Sequence, residues 1–97
     1  MAKGAKPLGK DELQEAVDSL AGWRIEDGEL RRTFEFKNFG EALGWMVRAG
    51  LEAEKLDHHP DWSNSWNKVD VRLKTHSIDA LSELDVKLAT RMNEMAG

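Results

Sequence analysis

The sequence predicts an α+β fold, α-β-β-α-β-β-α in order: a four-stranded antiparallel sheet with three helices packed on one face. Three observations carry this. Apolar residues recur at three- and four-residue steps in three segments, the period of an amphipathic helix. Between them lie two stretches that alternate apolar and polar, each long enough for a pair of strands. Hairpins segregated from helices favour an antiparallel sheet covered by helices. With 97 residues, one domain spanning 1–97 is expected, since domains commonly run to about 50–200 residues.

Residues 1–10 contain Gly4, Pro7 and Gly9 beside Lys3 and Lys6 and read as a mobile arm. Leu13, Ala16, Val17 and Leu20 then form a helical stripe, opened by the acidic pair Asp11-Glu12 and closed at Ala21-Gly22. Trp23–Phe36 reads as a hairpin around Asp27-Gly28, a pair that accepts the positive φ of a type I′ turn. Leu30, Phe34 and Phe36 share one strand face, which Arg32 interrupts.

Asn38-Phe39-Gly40-Glu41 resembles a capping box. It opens a helix expected to run to about Asp57 with Phe39, Leu43, Met46, Gly50, Ala53 and Leu56 as its stripe, joined by Ala42, Val47 and Ala49. Gly44 and Gly50 weaken that helix and are expected where it packs closely on the sheet. Pro60 stops it, because proline lacks the N–H and restricts His59 before it. A second hairpin begins in Asp61–Trp66 and continues through Val69, Val71, Leu73 and Thr75, the clearest alternation in the chain. Ser82-Glu83-Leu84-Asp85 is a second capping box, and Leu81, Leu84, Leu88, Met92 and Met95 form the last stripe.

Composition narrows the function. The 14 Lys+Arg against 18 Asp+Glu leave a net charge of −4, and no basic stripe of the kind nucleic acid requires is present. No apolar run nears the ~20 residues of a membrane span, and the basic start lacks the apolar core of a secretory signal, so the cytoplasm is the expected location. Cysteine is absent, which excludes disulfides, thiolate metal sites and thiol nucleophiles. No Gly-rich phosphate loop or nucleophile elbow appears.

Histidine is the side chain best suited to proton transfer near neutral pH. All three lie within His58–His76, at the ends of elements. Glu54 precedes His58 by four residues, so on a helix they are neighbours. A carboxylate and the negative helix end both favour a proton-donating ring, so His58 or His59 is the expected acid. His76 lacks both influences by sequence and is the expected acceptor. Such a pair suits proton-coupled loss of water. Adjacent histidines without a His-x₃-His spacing argue against a metal site. Trp62 and Trp66 can stack on a flat ring, although aromatic residues at a strand start more often serve the core. Asp85 has a structural role as the capping partner of Ser82.

Glu54-Lys55-Leu56-Asp57-His58-His59-Pro60, then Trp66, then Thr75-His76, then Asp85, resembles the signature of the pterin-4a-carbinolamine dehydratases. The resemblance implies the four-stranded sheet with three helices on one face. It implies dehydration of 4a-hydroxytetrahydropterin to quinonoid dihydropterin, which recycles the pterin of aromatic amino-acid hydroxylases. No metal or other cofactor is implied, the pterin being the substrate. His58, His59 and His76 correspond to the catalytic histidines. Glu54, His58, His59, Pro60, Thr75, His76, Ser77 and Ile78 correspond to substrate-binding positions, with backbone contacts expected at Ser77 and Ile78. Asp57, Trp66 and Asp85 are possible supporting residues. A homodimer or homotetramer is implied, and the small size of the chain agrees. Animal members also act as coactivators of a homeodomain transcription factor. A non-catalytic interaction module is therefore the alternative, needing an exposed helix face such as the Met92–Met95 end.

Overall fold

The computed structural model describes residues 5–97. The elements are α1 (Lys10–Asp18), β1 (Arg24–Glu26), β2 (Glu29–Glu35), α2 (Phe39–Leu56), β3 (Asp61–Ser65), β4 (Lys68–Leu73), a short 3₁₀ turn at His76–Ile78, and α3 (Glu83–Ala96). All strand pairs are antiparallel and the order across the sheet is β1-β2-β4-β3. The two hairpins thus meet along β2 and β4, with Leu30 opposite Leu73 and Phe34 opposite Val69. The α+β order read from the sequence is the order found.

The core lies between one sheet face and the helices. Leu30 and Phe34 of β2, four residues apart, and Val69, Val71 and Leu73 of β4, two apart, are buried on one face, because successive strand side chains point to opposite faces. Ala42, Trp45, Ala49 and Ala53 meet them from α2, and Leu88, Ala89 and Met92 from α3. Trp45 is the hub. It is fully buried, its ring lies 4.4 Å from Phe34 and 5.3 Å from Phe36, and its Nε1–H donates to the Met92 carbonyl at 3.2 Å. A buried indole needs such a partner.

This corrects the stripe expected for α2. Phe39 and Leu43 are 48% and 47% exposed, and Trp45 takes the central place. Ala42, Ala49 and Ala53 share the buried face with Trp45, and their small side chains leave room for the indole. The glycines do not serve this purpose. A Cβ built on Gly50 meets Trp62 at an ordinary 3.9 Å, and one on Gly44 meets only the Arg48 side chain, at 3.5 Å.

Other expectations also change. Part of the expected arm is tied down: Pro7 forms a β-bridge with Ser82, and the Leu8 N–H donates to the Leu81 carbonyl at 3.0 Å. The rest of that expectation, at residues 1–4, lies outside the described residues. β4 stops at Leu73, and Thr75 instead bridges Ala80. Met92 is fully buried and Met95 half-buried, so the apolar face left open belongs to α2 rather than to the end of α3. Arg32 does sit among apolar neighbours. Its guanidinium lies 4.1 Å over the Phe34 ring and donates to the Ala21 carbonyl and to Asn93 Oδ1. Burial pushes its pKa down.

Candidate active site

Three chain reversals bring the histidines to one end of the β3–β4 hairpin. The first closes α2. The His58 N–H donates to the Ala53 carbonyl at 3.0 Å and the Asp57 N–H to the Glu54 carbonyl at 3.1 Å, the paired bonds of a Schellman ending. Asp57 takes the left-handed conformation, φ 50°, which aspartate tolerates better than most residues. After this reversal His58 is buried and His59 exposed. Half-buried Pro60 follows, and β3 starts at Asp61.

The second reversal is the hairpin itself. Asp61 stands opposite Arg72, so the start of β3 lies beside the end of β4, three residues before His76. The third is the turn after β4. The Thr75 N–H donates to the Ala80 carbonyl at 3.0 Å, and the Thr75 carbonyl accepts from Ile78 and Ala80. Asp79 closes this turn at φ 50°, and its carboxylate binds Lys74 Nζ at 2.5 Å. That contact holds the Asp79 carboxyl below the usual aspartate range and raises the Lys74 ammonium. Exposed Ser77 and half-buried Ile78 lie within the turn.

Each histidine has its own carboxylate. His58, 1% exposed, places Nε2 2.5 Å from Asp85 Oδ1. His59 Nε2 lies 2.7 Å from Glu54 Oε1, and His76 Nε2 lies 3.1 Å from Asp61 Oδ2, all four side chains solvent-accessible. Two expectations are thereby corrected. Glu54 serves His59 rather than His58, because the αL residue at Asp57 turns the chain off the helical path on which the four-residue spacing was counted. His76 does have an acidic neighbour. Asp61 is distant in sequence from His76 and is brought to it by strand pairing, so no local spacing reveals it.

Asp85 joins the ends of three elements. Its Oδ2 accepts from the Ser82 N–H at 2.9 Å, as capping demands, and from Thr75 Oγ1 at 2.8 Å. The capping role and the contact with His58 therefore coexist on one carboxylate. Trp66 is not brought to the histidines. It turns the far end of the hairpin at φ 51°, 67% exposed, and the six steps along β3 from Pro60 separate the two by roughly 20 Å at the usual strand rise. Trp62 is half-buried against Trp45, ring centroids 6.2 Å apart. Among the described residues, no group of three or more His, Cys, Asp or Glu side chains is arranged to hold a metal ion.

The family model for pterin 4 alpha carbinolamine dehydratase matches residues 6–95. The chain belongs to this family. Proteins of Brucella ovis and Brucella canis, each named "Putative pterin-4-alpha-carbinolamine dehydratase", are 50% identical to it over 92 residues, which is 93% of this chain and 95% of theirs. A crystal structure of a transcriptional coactivator/pterin dehydratase from Brucella melitensis is 48% identical. It covers 95% of this chain and 100% of its own, with a TM-score of 0.92. Like these relatives, this dehydratase-family chain carries its fold over nearly its whole length.

Proposed function

We propose that the protein dehydrates 4a-hydroxytetrahydropterin to quinonoid dihydropterin and water, with His59 and His76 transferring the protons. The observation that carries this reading is the pair of exposed imidazoles, each backed by a carboxylate, beside a third imidazole held in the interior. In the reaction the C4a–O bond breaks, the departing oxygen gains a proton, and N5 loses one as the N5–C4a double bond forms. One group must give a proton and another take one. His59 at the end of α2 is assigned as the acid and His76 as the base. Pro60 and the backbone of His76, Ser77 and Ile78 border the pterin, which is a substrate; neither metal nor cofactor has a part. The product would return to a pterin-dependent aromatic hydroxylase.

Stopped-flow dehydration tests the assignment. His59→Ala and His76→Ala should each lower kcat by about 10²-fold, within the ~10²–10⁴-fold that general acid–base catalysis contributes, and the double variant should fall further. Full rate in both single variants refutes it. A pterin analogue should also raise Tm by mass action. No such rise, together with no turnover, would favour a non-catalytic interaction module.

The chain is also proposed to self-associate. Phe39, Leu43, Val47 and Leu51 recur every four residues along α2 and are 47–61% exposed. An apolar stripe of that length on so small a protein favours burial against a second copy.

A further inference from the structure

We infer that Thr75 is a positioning residue: its hydroxyl, acting through Asp85, fixes the tautomer and orientation of His58. The kinetic part of this inference rests on the dehydratase reading; the spectroscopic part does not.

Counting protons gives the chain of bonds one direction. Asp85 is completely buried, and its carboxylate only accepts. Oδ2 receives the Ser82 N–H and the Thr75 hydroxyl. Thr75 has a single hydroxyl proton, so across the 2.6 Å contact between Thr75 Oγ1 and Ser82 Oγ the donor is Ser82. Ser82 Oγ in turn accepts the Leu84 N–H at 3.2 Å. The order runs from Ser82 to Thr75 to Asp85. Two donors on Oδ2 hold the carboxylate plane so that Oδ1 faces His58. Nε2 of that ring must then carry the proton, as in other histidines whose ring is oriented by a carboxylate. Among the described residues, Nδ1 is left buried and without a hydrogen-bond partner.

Thr75 has nothing to spare for a ligand. It is 1% exposed, and its N–H, carbonyl and hydroxyl are all engaged inside the protein. His58 is equally buried, 1% exposed. What the network delivers to the surface is position: His58 is bonded to His59, so anchoring one sets the origin from which the other reaches out.

The test uses the full chain labelled with ¹⁵N-histidine. Long-range ¹H–¹⁵N spectra of the parent should show His58 with a protonated, pyrrole-type Nε2 and a pyridine-type Nδ1. Thr75→Val should shift both His58 signals and lower kcat roughly tenfold, as removal of an outer hydrogen-bond partner does, with KM little changed. Thr75→Ser, which keeps the hydroxyl, should restore both. If Thr75→Val does not fold, Ser82→Ala, which removes the outer link and the cap on the Leu84 N–H but keeps the Ser82 N–H on Asp85 Oδ2, carries the same readout with a smaller shift. Unchanged His58 signals in a folded Thr75→Val or Ser82→Ala variant overturn the inference. So does a raised KM with those signals unchanged, which would make Thr75 a substrate contact. Absence of turnover in the parent would fell the dehydratase reading while the nitrogen spectra still decided this one.

Discussion

Asp61 shows how a single side chain can matter without any signature marking it. It begins β3, stands opposite Arg72, and reaches His76 at 3.1 Å. Asp61→Asn keeps the shape but removes the charge behind that ring. Its kcat for dehydration should fall by up to about tenfold, the lower end of what losing an outer partner costs. An unchanged rate would mean that His76 orients itself. Trp45 makes a different residue-scale case. It fills the space between α2 and the sheet and is fully buried. Trp45→Ala should cost about 3–5 kcal/mol of stability, read as a lowered urea midpoint. Its burial was not legible from periodicity, because the apolar residues of α2 allow two overlapping stripes and only contact with Phe34 and Phe36 selects one.

At the scale of elements, the ends of α2, β4 and α3 build the site, and their chain reversals were partly readable. Asn38 does cap α2, accepting the Glu41 N–H at 2.9 Å, and Ser82 and Asp85 form the capping box expected at α3. The turn after β4 was not readable, since Thr75 continues the strand alternation up to the point where its hydroxyl is drawn inward to Asp85. The Asp79–Lys74 contact that closes this turn predicts a pH effect. Because the folded carboxyl titrates below its ordinary range, the contact stabilises the fold above that range and loses its effect as pH falls through the lowered value. Asp79→Asn, which tolerates the same backbone, should be slightly less stable than the parent at pH 7. The difference in urea midpoint should disappear well below the ordinary aspartate value of about 3.9. A difference that persists there would assign the effect to packing. The Asp79 side chain is 86% exposed, so the effect should be small.

For the whole molecule, the open face of α2 is the feature with most consequence. If a second copy covers it, sedimentation equilibrium should give a multiple of the 11.0 kDa chain mass, and Leu51→Lys should return the protein to one chain per particle. Leu51 is 61% exposed, so the substitution leaves the core intact. A parent that sediments as a single chain would refute self-association through this stripe. The order of elements and the sheet's two hairpins were evident at this scale, because alternation and helical period depend only on neighbours a few residues apart. Which hairpin edges met, β2 with β4, was not, because strand pairing joins residues as far apart as Leu30 and Leu73.

The sequence alone determined the element order, the turns at Asp27-Gly28 and Pro60, both helix caps, and the identity of the three histidines, each a matter of local chemistry or spacing. Tertiary structure decided which carboxylate each histidine received. Asp85 reaches His58 across 27 residues and Asp61 reaches His76 across 15, whereas Glu54 meets His59 only because Asp57 turns the chain. It also decided that His58 is interior and His59 exterior. Neither the residue type nor the local spacing marks one of the two as interior; the left-handed reversal at Asp57 and the buried carboxylate of Asp85 on α3 decide it.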